Sequence, residues 1–154
     1  MAESVHSYLF RRAFNFWPCY FGTGARVTYM SGDWREARVE LPLTPRTRNY
    51  VGTLFGGSLY ASVDPIYMLM LMHILGKEYI VWDKAANVRF KKPGKSTLHA
   101  HFLLTEEEIA SIKAALDAGQ RSVDRIYRVE YKDAQGVVHV EIDKTLYVRK
   151  KSTQ

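Results

Sequence analysis

Ser58-Leu-Tyr-Ala-Ser-Val-Asp-Pro-Ile-Tyr-Met-Leu-Met-Leu-Met-His-Ile-Leu75 reads as a helix with apolar residues on every side. Such a helix has no polar face to give to water, so the rest of the chain has to enclose it. Its longest apolar run, Ile66 to Leu75, is broken only by His73 and is about half the length that a bilayer crossing needs. The helix is therefore expected in a core, and no membrane partner is expected.

The enclosing elements follow downstream. Segments 79–90, 97–104, 122–132 and 137–149 are strand-like, and the last two form a hairpin across Asp133-Ala-Gln-Gly136. Between the second and third of these, residues 105–118 read as an amphipathic surface helix. Thr105 and Glu108 are spaced as a capping box, Ile109, Ile112 and Leu116 make the apolar stripe, and Gly119 stops it. Upstream, residues 8–17 have apolar spacings of three and four and read as a short helix ending at Pro18. Strands at 26–30 and 35–41 follow, joined by the tight turn Ser31-Gly32-Asp33 and ended by Pro42 and Pro45. The order helix, β, β, buried helix, β, β, helix, β, β has few long crossovers, so the sheet should be largely antiparallel and the class α+β. A long antiparallel sheet wrapped around one apolar helix is the hotdog arrangement; the alternative is a generic α+β sandwich.

A chain of 154 residues suits a single domain that buries roughly two-thirds of its unfolded surface. We expect one hotdog domain over 1–154, with an N-terminal helical segment at 1–24 and the core at 25–150. The lone Cys19 and the absence of a zinc-site spacing point to a reducing, cytoplasmic setting and to no metal. The opening residues lack the basic and apolar regions of a signal peptide. The net charge of +6 is concentrated in Arg89-Phe-Lys-Lys-Pro-Gly-Lys95 and Arg149-Lys-Lys151. Clustered cations favour an anionic ligand. No nucleic-acid partner is expected, because no recognition motif or basic strip interleaved with stacking aromatics accompanies them. His99 and His101 share one strand face, and two such residues alone do not make a metal site.

The chemistry gathers around the buried helix. Asp64 is a carboxylate among apolar neighbours, and an ionised carboxylate there has to be paired, hydrogen-bonded or protonated. At the helix start, Gly56 and Gly57 leave backbone N–H groups and the positive end of the dipole open to a carbonyl oxygen. Seven residues separate Gly57 from Asp64, about 10 Å along a helix axis. If both groups serve one reacting carbonyl, they must come from two subunits, which predicts a site at a dimer interface.

Asn49-Tyr-Val-Gly-Thr-Leu-Phe-Gly-Gly57, followed seven residues later by Asp64, resembles the hotdog acyl-CoA thioesterases of the phenylacetic-acid-pathway type. Their pattern is N-x-x-G-x-x-H-G-G with an Asp seven residues on. The resemblance extends over roughly residues 25–150. It implies that Asp64 is the nucleophile or general base on a fatty or aromatic acyl-CoA thioester and that the Gly56 amide, with Gly57, polarises its carbonyl. It also implies that Asn49 orients water and that Asp83 faces the site from the partner subunit of a homodimer or dimer of dimers. Phe55 replaces the usual His and Pro65 follows the Asp. In these two features, the long central helix and the helix at 105–118, the chain resembles a poorly characterised, mainly bacterial thioesterase-like branch. No cofactor is implied beyond coenzyme A as part of the substrate.

From charge and position, Lys91, Lys92 and Lys95 around Pro93-Gly94 are candidates for the coenzyme A phosphates. The central helix, with Phe14, Phe16 and Trp17, is a candidate acyl pocket. A hydratase is disfavoured because no His lies near the start of the buried helix. The competing reading is a protein that binds acyl-CoA or another apolar anion without cleaving it, for which Phe55 and Pro65 speak.

Overall fold

The computed structural model describes residues 2–151; residue 1 and residues 152–154 of the expected domain lie outside it. The helices are α1 (Val5–Asn15), α2 (Pro18–Thr23), α3 (Gly56–Ala61), α4 (Ile66–Leu75) and α5 (Glu106–Asp117). The strands are β1 (Arg26–Met30), β2 (Glu36–Leu41), β3 (Tyr79–Phe90), β4 (Leu98–Leu103), β5 (Val123–Lys132) and β6 (Val138–Lys150). All six strands form one antiparallel sheet in the order β1-β2-β4-β5-β6-β3. This is the hotdog fold, with α3 and α4 as the enclosed helix.

Side-chain alternation sets which face of the sheet meets that helix. Ala37, Val39 and Leu41 of β2, Leu98, Ala100 and Phe102 of β4, and Val140, Ile142, Leu146 and Val148 of β6 are buried against Leu59, Val63, Ile66, Met70 and Leu71. Each fully buried aliphatic side chain contributes about 1.5–3 kcal/mol, so truncating Met70 to Ala would cost about 2–5 kcal/mol.

Three local features refine the expectation. The central helix breaks at Pro65, where residues 62–65 form turns between α3 and α4. Pro65 has no N–H for the Ala61 carbonyl, and Ser62 turns its hydroxyl back onto the Ser58 carbonyl at 2.7 Å. Nor is the helix buried all round. Met68 and Leu69 are half-buried and Met72 is 47% exposed, because the sheet wraps one side and leaves this strip open. Finally, a second short helix follows the first. Pro18 opens α2 at N1 and Gly24, at φ 80°, closes it.

The two sheet edges are treated differently. Along β1, the Asn15 side-chain amide donates to the Val27 carbonyl at 2.9 Å and accepts from the Val27 N–H at 2.8 Å, and Glu3 accepts from Met30 N–H at 3.3 Å. α1 thus blocks that edge. β3 pairs with β6 on one side only, and its twelve residues carry the exposed Trp82 and Phe90. A long edge strand left open is a template for another strand.

Candidate active site

Lys144 is the least expected residue of the molecule. It occupies an inward position on β6 between Ile142 and Leu146, with a side chain only 1% exposed. A buried ammonium needs anions. Its Nζ lies 2.5 Å from Asp64 Oδ1 and 2.8 Å from Asp83 Oδ1, and sits over the Tyr60 ring. Tyr60 Oη also donates to Asp64 Oδ1 at 2.9 Å.

One ammonium cannot serve two carboxylates equally. Asp64 takes the aligned hydrogen bond, whereas Asp83 Oδ1 is buried, close to the ammonium but outside hydrogen-bond alignment. Burial therefore pushes the Asp83 carboxyl above its ordinary value, although the close contact and charge of Lys144 pull the other way. Burial acts to lower the Lys144 value too, yet its contacts with Asp64 and Asp83 outweigh this and hold the ammonium above the usual lysine range. Both statements fit one arrangement: a securely charged lysine, with Asp83 as the carboxylate it neutralises less well. Burial, followed by the bond to Asp64, raises Tyr60.

The break before Pro65 explains the setting of Asp64. Its side chain is 42% exposed, and it lies in that break just ahead of α4, whose Met68 and Leu69 are half-buried and whose Met72 is exposed. Asp83 is brought inward on β3 opposite Leu146, beside a bulge at Lys84.

The other sequence-derived residues assemble elsewhere. Asn49, Gly56, Lys91 and Lys92 line a cleft of about 330 Å³ together with Leu54, Leu59 and Phe90. No side chain caps α3, so the amides at its start face no capping oxygen. Phe90 packs on Gly56 and Phe55 on Gly57, where an added Cβ would collide with the Phe55 ring. The Asn49 amide is committed to its own loop, donating to Thr53 Oγ1 at 2.9 Å and accepting from Thr53 N–H at 3.0 Å. It shapes the approach to Gly56.

The basic loop is tied down at both ends. Leu54 N–H donates to the Gly94 carbonyl, and the N–H groups of Lys91 and Lys92 both donate to the His139 carbonyl. Lys91 Nζ reaches Glu141 at 3.4 Å, and the side chains of Lys92 and Lys95 are exposed. Asp64 does not line this cleft. Of the aromatics expected in an acyl pocket, Phe14 packs against Tyr20, while Phe16 and Trp17, between α1 and α2, are 69% and 62% exposed and line no core. His101 lies on the outer sheet face, bonded to Glu36 at 3.0 Å.

Comparison with known proteins agrees with the hotdog geometry. Residues 6–148 match the family described as Domain of unknown function (DUF4442), and the chain belongs to that family. No curated protein matches it. Among solved structures, a Pseudomonas aeruginosa protein described as a probable thioesterase superposes with a TM-score of 0.81 at 17% identity, over 97% of this chain and 99% of that one. A Chlorobaculum tepidum protein of unknown function gives 0.74 at 15% identity, over 95% of each chain. A Haemophilus influenzae thioesterase gives 0.68 at 14% identity, over 97% of this chain and 93% of that one. At such identities the likeness establishes the fold.

Proposed function

We propose that the chain is a thioester hydrolase that cleaves fatty or aromatic acyl-CoA at the interface of a homodimer. The observation that carries the reading is Asp64, held by buried Lys144 and by Tyr60 at the break ahead of α4, where Met68 and Leu69 are apolar and only half-buried and Met72 is exposed. A second subunit pairing along the open edge of β3 would cover that strip and bring its own Gly56 cleft toward Asp64. Lys92, with Lys91 and Lys95, would take the phosphates of coenzyme A, and Asp83 would face the site.

In this reading, Asp64 Oδ1 is occupied by Tyr60 and Lys144, and Oδ2 is the atom turned to the reaction. It accepts a proton from water as the water oxygen bonds to the thioester carbon. Negative charge collects on the carbonyl oxygen, at the partner's Gly56 and Gly57 amides. The C–S bond then breaks, and the thiolate leaves with the proton from Asp64. Free acid and coenzyme A result, with no cofactor consumed. The related solved structures described as thioesterases support the class, and the lone, exposed Cys19 suits a cytoplasmic setting.

A second reading, a non-catalytic acyl-CoA-binding protein, is favoured by one feature, the apolar Phe55 ring lying over Gly57. A panel of acyl-CoA thioesters with detection of released thiol separates the two. Turnover on any member supports hydrolysis; thermal stabilisation by acyl-CoA with no thiol released supports binding alone.

A further inference from the structure

We propose that the outer surface of α1 and α2 docks on an anionic phospholipid bilayer. This goes beyond the hydrolase reading and does not rest on it. The inward face of α1 is fully used: Asn15 and Glu3 seal the β1 edge, Phe10 packs on Trp34 and His73, and Phe14 packs on Tyr20. The outward side carries large apolar side chains beside Arg12. Val5 is 77% exposed, Leu9 60%, Phe16 69%, Trp17 62% and Phe21 48%. Single exposed apolar residues are ordinary, but five large ones on two short helices and the junction between them make a patch that calls for a partner.

Charge identifies the partner. From Ser4 to Gly32 the chain has no Asp or Glu. Arg11 is spent on Glu3 at 2.7 Å, whereas Arg12, Arg26 and Arg46 line a cleft of about 670 Å³ together with Phe16 and Phe21. The Arg46 guanidinium lies 4.3 Å over the Phe21 ring and donates to the Phe21 carbonyl. Glu40 stands opposite Arg26 across β1 and β2, and no salt bridge joins them among the described residues. Guanidinium groups around a cleft suit a phosphate headgroup, and protruding Trp and Phe side chains suit the boundary between headgroups and acyl chains.

A second copy of the chain fits less well. A twofold contact through this face would set the same arginines against one another. The face also remains open whatever pairs along β3, because β1 and β3 are opposite edges of the sheet. The expectation of no membrane partner rested on the shortness of the 66–75 run, and a surface docking needs no span.

Sedimentation of the full chain with vesicles tests this. Vesicles of phosphatidylcholine with about one-third phosphatidylglycerol should carry down at least ~10-fold more protein than phosphatidylcholine alone, and raising the salt should release it. The pairs Phe16→Ser with Trp17→Ser, and Arg12→Gln with Arg26→Gln, should each cut the bound fraction by about 10-fold while leaving the chain folded at the assay temperature. Binding to neither vesicle, or equally to both, overturns the proposal. So does a Phe16→Ser, Trp17→Ser variant that still binds vesicles, or one that reduces a larger assembly to a dimer, since the face would then belong to a copy of the chain.

Discussion

Lys144 Nζ and Asp64 Oδ1 are 2.5 Å apart, the lysine almost wholly buried and the aspartate partly open to solvent. The pair joins the central helix to the sheet: Asp64 sits in the break between α3 and α4, and Lys144 comes from the middle of β6. Replacing Lys144 with Met strands two carboxylates near each other. The expected cost is about 3 kcal/mol, moderated by the exposure of Asp64, or a melting temperature lower by roughly 6–12 °C. A variant as stable as the parent would show that the ion pair contributes nothing net.

Asp83 makes the opposite prediction. Its folded-state value is raised by burial, so ionising it costs the folded state more than the unfolded one. Its stabilising contribution is present below the ordinary carboxylate value and is lost as pH rises through the folded value. Asp83→Asn cannot ionise and should melt higher than the parent at pH 7, with the gap closing as pH falls. A lower melting temperature at pH 7 would show that the contact with Lys144 outweighs the burial cost.

The uncovered helix strip predicts the oligomer. Sedimentation should give twice the 17.8 kDa of the chain. Met72→Glu places a charge on the strip beside Asp64 and should weaken the dimer at least ~10-fold while leaving the monomer folded. An unchanged dimer would mean that this strip lies outside the interface.

Replacing Lys91 and Lys92 with Ala should raise the KM for acyl-CoA by about 10-fold or more, through lost phosphate contacts, and barely alter that for a short acyl thioester lacking the nucleotide. Equal effects on both substrates would remove the two lysines from coenzyme A binding.

The sequence carried most of the fold, because turn residues and side-chain periodicity are local signals. The strand at 79–90 appears with those bounds, and β1, β2, β4, β5 and β6 fall within a residue of theirs. The capping box at α5 is only half made: Thr105 accepts from the Glu108 N–H, but the Glu108 side chain turns to Tyr127 and Arg125. A tertiary partner outcompeted the local one.

The ionic site was less legible. Lys144 had a usable signal, since Val140, Ile142, Lys144, Leu146 and Val148 alternate along one face, and a lysine in that row has to find an anion. Its pairing with Asp64 and Asp83 depends on contacts across eighty and sixty-one residues, which no local pattern encodes. The open strip on the central helix was equally hidden, because an apolar run does not reveal which of its sides the sheet leaves bare.

If the proposed function holds, Asp64 performs chemistry at an acyl thioester. Thiol release from acyl-CoA should be followed for the parent and for Asp64→Ala, at equal concentration and with folding of both verified by their melting curves. Turnover by the parent and a loss of at least ~100-fold in the variant are expected. Turnover that survives the substitution would contradict that role.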